Sequence, residues 1–357
     1  MIIFNYLTRQ VMVTMLSVTC ILLLIFMSGR FTIFLHQAIS GGISLDILLP
    51  VMAYRLPSFL QLILPLGLFI GILLTYGRMY LESEMTVLHA CGLSTNRLIG
   101  MTLVMSAFVA LLAGFSSLYL APWGMEETEK LLLEQSKKTK FEMIFTGQFQ
   151  HFRSNSGVIY IGSLSKDKQS MYDIFISIKT NDSESTTQIF ASSGTKTSNE
   201  DGQGFLILNN GTLYRGNPGA LNYQSINFDT YKFKLEEQDV GKRGVKDDAI
   251  RSTTLFAAND LKSKALLQWR ISLALLVPIV ALLAVSVSRV NPRQGRFIHL
   301  FPAMLIYVAY LGLLIAARKS VINNQLPAEI GLWSVHLLFF SLAMVLLLKE
   351  RWLKWFK

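Results

Sequence analysis

Six runs of apolar residues flank a polar middle in which short apolar stretches alternate with turn residues. A helix needs about 20 mostly apolar residues to cross a hydrocarbon core about 30 Å thick. Runs at roughly 11–35, 48–76, 98–121, 266–288, 297–317 and 330–349 meet that length, three on each side of the middle. The first has Arg9 ahead of it, as a signal peptide would. Its length exceeds the roughly 7–15 residues of a signal-peptide core, so it reads as a retained helix.

The middle, residues 123–262, reads as all-β. Val158–Ile161, Ile174–Ile178, Phe205–Leu208 and Tyr231–Leu235 are short runs set between turn signals at Asp201-Gly202, Asn210-Gly211 and Asn217-Pro218-Gly219. Regularly spaced short strands with such turns favour a sandwich or a jelly-roll-like sheet. The pattern therefore predicts a polytopic α-helical membrane protein with six transmembrane helices and an inserted all-β domain. Residues 1–122 hold helices one to three with a short surface segment at 80–93, and residues 263–357 hold helices four to six.

Composition agrees: 52% of residues are hydrophobic and 16% charged, against about a quarter charged in a soluble domain. The net charge of +10 does not mark nucleic-acid binding, because the basic residues cluster at the ends of apolar runs. Lys and Arg resist translocation, so their distribution orients the chain. With the N-terminus in the cytoplasm the inner set is Arg9, Arg78, Arg97, Arg289, Arg293, Arg296, Lys349, Arg351, Lys354 and Lys357. The outer short segments hold only Arg30, Arg55, Arg318 and Lys319, which places both termini inside and residues 123–262 outside. Cys20 and Cys91 lie in or beside apolar runs, so the β-domain is expected to stand without disulfides or a Cys-based metal site.

The inward segment Tyr80 to Gly92 is too polar to span a membrane and too periodic for a plain loop. Leu81, Met85 and Leu88 form an apolar stripe at helical spacing, Gly92 suits a left-handed C-terminal cap, and Ser94 suits the N-cap of the next helix. Glu84 interrupts the stripe. One reading is an interfacial helix lying on lipid; the other is docking into a partner's groove, where a basic residue pairs with Glu84. Glu82 and His89 fall towards the polar side, and His89 is equally read as solvated or structural.

On the outer side Arg30, Arg55, Arg318 and Lys319, with Arg270 near the outer end of helix four, run against the charge trend. Long basic side chains snorkel to ordinary phosphates, which explains them without function. They also suit a site for an anionic lipid, whose phosphates take charge-assisted hydrogen bonds. In helix two, Pro57 and Pro65 predict kinks and the Gly67–Gly71 spacing close helix approach, whether for movement or for ordinary packing. The turn Asn291-Pro-Arg-Gln-Gly-Arg296 has the form of a topology signal.

No phosphate-loop sequence G-x-x-x-x-G-K-[ST] occurs, so ATP hydrolysis of that type would have to come from a partner. Neither H-E-x-x-H nor G-x-S-x-G is present, and no ligand spacing suggests a metal. The helices lack the buried acids of ion-coupled transporters. The chain is expected to be non-catalytic, without catalytic residues, metal or cofactor.

Together these residues resemble the LptF/LptG family, the permease subunits of the lipopolysaccharide exporter of Gram-negative bacteria, and its F branch more than its G branch. Glu82 to Ser94 looks like the family's coupling helix, Gln61-Leu-Ile-Leu-Pro-Leu its second helix, and Asn291 to Arg296 its turn before helix five. The resemblance implies an ABC-transporter permease in the bacterial inner membrane, its β-domain in the periplasm. It implies a heterodimer with a homologous, LptG-like permease, bound to a cytoplasmic LptB-like ATPase dimer that takes the ATP, and a single-pass LptC-like periplasmic partner. Lipopolysaccharide would enter from the outer leaflet between the first and fifth transmembrane helices and pass to a periplasmic bridge. Residues matching Glu84 would dock the ATPase, and those matching Arg30 and Lys319 would face lipid phosphates. Ile33 stands where some relatives carry a further basic residue. The rival is a mechanotransmission or sensor-type subunit that moves no lipid; a sensor would need an inward output domain, and no inward loop is long enough to hold one.

Overall fold

The computed structural model describes residues 2–39, 43–142, 146–152, 157–165, 170–179, 186–198, 204–217, 223–234, 247–258, 260–289 and 300–355. Among these, six helices are long and apolar enough to cross a membrane, and an antiparallel sheet is inserted after the third, as the hydropathy pattern predicts. Three helices precede the sheet: α1 (Ile2–Ile39), α2 (Leu45–Leu81) and a rod of α4 (Thr95–Phe115), a π-helical turn (Ser116–Leu120) and α5 (Ala121–Glu142). The short α3 (Glu84–Ala90) joins α2 to α4; α6 (Ser252–Ala257), α7 (Leu261–Val287), α8 (Leu300–Ile322) and α9 (Gly331–Trp355) follow the sheet. The Asn291–Arg296 turn, Asp201-Gly202 and Pro218-Gly219 lie outside the described residues.

Contacts divide the chain into two units, one of residues 1–32, 50–129 and 245–357, the other of residues 33–49 and 130–244. In the helical unit α7 is central, with 67% of its span buried against 11% for α1. The core runs through Leu68, Phe69, Ile72 and Tyr76 of α2, Leu98 and Val109 of α4, Val277 to Val285 of α7 and Tyr310 of α8. Lipid tails are as apolar as leucine, so close packing and interhelical hydrogen bonds hold such helices together. Tyr76 and Thr102 share a 2.8 Å bond between hydroxyls, Thr75 donates to Thr14 at 3.1 Å, and Tyr310 meets His336 Nδ1 at 2.6 Å. The Gly67–Gly71 spacing does what small residues do in membranes: a Cβ on Gly71 would stand 3.0 Å from Met15 Cα, and one on Gly67 would strike Thr19 Oγ1. That is where α1 crosses α2.

The other unit carries six strands in one antiparallel meander, β1 (Phe149–Phe152), β2 (Gly157–Leu164), β3 (Ser170–Lys179), β4 (Thr186–Ser198), β5 (Gly204–Gly216) and β6 (Gln224–Lys234), paired in chain order. Among the described residues the strands make one sheet, whereas a sandwich or full jelly roll has two. The single sheet is creased. Gly162, Asp173, Ser192, Asn210 and Asp229 lie on one row where pairing lapses while the register on either side continues. Asp173 and Asn210 take φ of 55° and 51°, in the left-handed region. Across this row the buried positions change parity, from Met171 to Ile174 and Ile176 in β3 and from Leu208 to Leu213 in β5, so one face stays buried along each strand. A bend at one extra residue per strand achieves this. The opposite face bears an aromatic row, with Phe149–Phe175, Phe175–Phe190 and Phe190–Tyr214 ring centroids 6.3, 4.9 and 6.0 Å apart.

Candidate functional site

Two groups of predicted residues come together, at opposite ends of the helical unit. Arg55 and Leu81 are both on α2, 26 residues apart (81 − 55), roughly 39 Å at helical rise.

At the Leu81 end, α3 begins after Ser83 in the left-handed conformation, with φ of 61°. Its end follows the predicted caps: Gly92 takes φ of 94°, and Ser94 Oγ accepts from the Arg97 amide at 3.3 Å. The apolar stripe faces inward. Met85 is fully buried in the helical core, Leu88 packs against that core, and Leu81 is half-buried. Met85 therefore anchors α3 to its own bundle and has no surface to offer a partner. Glu84 is half-buried and accepts a 3.0 Å hydrogen bond from Tyr6 Oη of α1. Exposed Glu82 lies 3.8 Å from Arg78, which also donates to Gln10 at 3.1 Å. His89 is half-buried, its Nδ1 2.6 Å from the Leu93 carbonyl, so that nitrogen carries the hydrogen and serves the turn. The outward strip is Ser83, Thr86, Val87 and Ala90, with Val87 60% exposed. Sequence reasoning passed over Val87; its signal is one apolar side chain on the otherwise polar face.

At the other end a cavity of about 280 Å³ is lined by Arg30, Arg55, Arg270 and Arg318, with Phe59, Trp269 and Asp248. Four of the five predicted cations converge there from α1, α2, α7 and α8. The fifth, Lys319, is exposed beside Arg318 and is not part of the lining. The Arg30 guanidinium stands 5.9 Å over the Phe59 ring and that of Arg318 5.3 Å over Trp269, within the range of cation–π attraction. Arg318 approaches Asp248 at 3.6 Å.

Arg270 differs from the others. It is 5% exposed, and its guanidinium donates to Ser252 Oγ at 2.7 Å and to the carbonyls of Ile250 and Asp248 at 2.7 and 3.2 Å. Ser252 Oγ in turn donates to the Leu118 carbonyl in the π-helical turn, while Ser116 Oγ donates to the Pro57 carbonyl. A π turn breaks the ordinary hydrogen-bond ladder, and here two of its residues are tied to neighbouring segments. Arg251 clasps Glu126 at 2.7 and 3.0 Å, which raises its proton affinity further. Segment 247–252 is thus pinned to the floor of the pocket. Sequence reasoning did not find Asp248, Trp269 or Phe59; the only signal was the acidic pair Asp247-Asp248 ahead of helix four.

Residues 5–349 match the family described as lipopolysaccharide export system permease LptF/LptG. The chain is 32% identical to the lipopolysaccharide export system permease protein LptF of Escherichia coli K12, over 97% of this chain and 94% of that protein. The LptF proteins of Escherichia coli O157:H7 and Shigella flexneri give the same identity and coverage.

Proposed function

The chain belongs to the LptF/LptG family of lipopolysaccharide export permeases, and on that premise we propose that it is the non-catalytic permease subunit of an inner-membrane ABC transporter. It takes lipopolysaccharide from the outer leaflet and passes it towards a periplasmic bridge, while an LptB-like ATPase dimer supplies the ATP hydrolysis. It pairs with an LptG-like permease, and an LptC-like single-pass subunit extends the periplasmic path.

One observation carries the reading: four arginines from four different helices meet in a single cavity at one end of the bundle. Lone snorkelling side chains would reach separate headgroups, whereas convergent guanidinium groups suit one ligand with more than one phosphate. The positive-inside distribution supports assigning that end to the periplasmic side and both termini to the cytoplasm. The exposed apolar surfaces of α1 and α8, with Leu24, Phe26, Phe301 and Leu305, are where lipid or the second permease would meet the chain. At the cytoplasmic end Glu84, Glu82 and the outward strip of α3 meet the ATPase, with Leu81, Met85, Leu88 and His89 holding that short helix in place. Movement of α3 passes through Met85 into the core, the cavity closes, and the lipid leaves towards the periplasm.

The test is to replace Arg30 and Arg318 with Gln, and Lys319 likewise, in the assembled transporter, and to titrate lipopolysaccharide. Binding should weaken by about tenfold or more for the double arginine variant, since charged hydrogen bonds contribute about 1.5–3 kcal/mol each. Unchanged binding with lost export would favour the mechanotransmission reading.

A further inference from the structure

An anion stands in a pocket otherwise built for one. Asp248 lines the cavity, its carboxylate 3.6 Å from Arg318, with its side chain 67% exposed while that of Arg318 is 23% exposed. Its position is not left to a flexible loop. Arg270 grips the Asp248 and Ile250 carbonyls and Ser252 Oγ, and Lys262 holds neighbouring Asp247 at 2.6 Å.

We propose that Asp248 is the resident anion of the phosphate pocket, held at Arg318 until a lipid phosphate displaces it, and that Arg270 is a positioning residue that presents it there. This rests on the pocket being the lipid site. A carboxylate carries one charge, whereas a phosphate monoester carries about 1.5 to 2 and three acceptor oxygens, so the incoming group is the stronger partner for a guanidinium. An exposed ion pair is weak, so displacement costs little. With three of its five N–H groups given to Ser252 and to the Asp248 and Ile250 carbonyls, Arg270 acts by positioning Asp248. The exchange transfers Arg318 from the segment that follows the sheet in the chain to the lipid.

The experiment titrates lipopolysaccharide into the full transporter carrying Asp248→Asn, Arg318→Gln, both together, and Ser252→Ala alone and with Asp248→Asn. Asp248→Asn should tighten binding about two- to fivefold, the span expected from removing an exposed ion-pair competitor. The gain should vanish in the Arg318→Gln background and shrink in the Ser252→Ala background, a dependence that a purely structural role for the segment would not produce. If Asp248→Asn leaves binding unchanged or weakens it while Arg318→Gln also weakens it, the competitor role is refuted and the pocket stands. If Arg318→Gln, and Arg30→Gln titrated beside it, both leave binding intact, the pocket reading fails and this inference goes with it.

Discussion

The phenol of Tyr6 donates a 3.0 Å hydrogen bond to the Glu84 carboxylate and so ties the first turns of α1 to the start of α3. Glu84 is the residue expected to meet the ATPase, and Tyr6 holds it in place before any partner arrives. The two roles separate by substitution. Glu84→Lys should abolish co-purification of the ATPase, because it turns an attractive charge into a repelling one at a desolvated contact. Tyr6→Phe removes one exposed hydrogen bond, about 0.5–1.5 kcal/mol, and should lower assembly by no more than about tenfold. Pull-down of the ATPase at graded concentrations measures both. Retention of the ATPase by the Glu84→Lys chain would sink the docking role.

Gly71 fixes the distance between α1 and α2. A Cβ there would lie 3.0–3.1 Å from Met15 N, Cα and Cβ, and backbone cannot rotate aside. At Gly67 the obstacle is the Thr19 hydroxyl, which can turn. Gly71→Leu should therefore lower stability by about 1–3 kcal/mol, the usual range for overpacking, and Gly67→Ala by less. Thermal unfolding of the purified chain in detergent ranks the two, and the reverse ranking would show that α1 does not rest on α2 at this point.

Asp260 caps α7, the helix at the centre of the bundle, by accepting from the Ser263 amide at 3.0 Å. Hydrogen bonds from the Ser263 side chain and amide favour the charged carboxylate and lower its pKa below the ordinary 3.8. The cap is thus fully formed above the ordinary carboxylate pKa and is lost as pH falls through the lower, folded value. Protection of the first-turn amides of α7, corrected for intrinsic exchange, should fall below about pH 4. Asp260→Asn keeps the cap without the charge and should remove that pH dependence.

Much of this architecture was legible because a bilayer imposes long uniform apolar runs that few other structures need. The caps at Gly92 and Ser94 and the contact at Gly71 were legible because each depends on local geometry. The inward stripe of α3 was read correctly as apolar, yet its destination was open: Met85 has the same pattern whether it faces a partner or its own core, and only the fold decides. The convergence of Arg30, Arg55 and Arg318 was readable from their places at corresponding ends of the apolar runs. The different role of Arg270 was not, because its partners Ser252, Ile250 and Asp248 precede it by 18 to 22 residues through a stretch with no periodic signal. Each of the four apolar runs lies in a different strand, but the strands are longer than the runs, and Asn210-Gly211, a turn signal by composition, falls inside β5 at the crease, because the left-handed residue there bends the strand without ending it.

Asn210 has φ of 51° in the middle of β5, and Ser192 Oγ donates to its carbonyl at 3.1 Å, so two strands turn at the same row. Asparagine tolerates the left-handed region, glycine does so without penalty, and a β-branched residue does not. Asn210→Gly should leave the sheet intact, while Asn210→Val should cost about 1–2 kcal/mol locally. The valine chain would either lose pairing at the row or straighten β5. Straightening would reverse the parity beyond the row and expose Leu213, which is now 4% exposed. Hydrogen exchange of the full chain distinguishes these outcomes: faster exchange confined to β4–β6 in the valine variant, with the glycine variant unchanged, is the expected pattern. Equal protection in both variants would mean that the left-handed residue does not hold the bend and that the parity change has another cause.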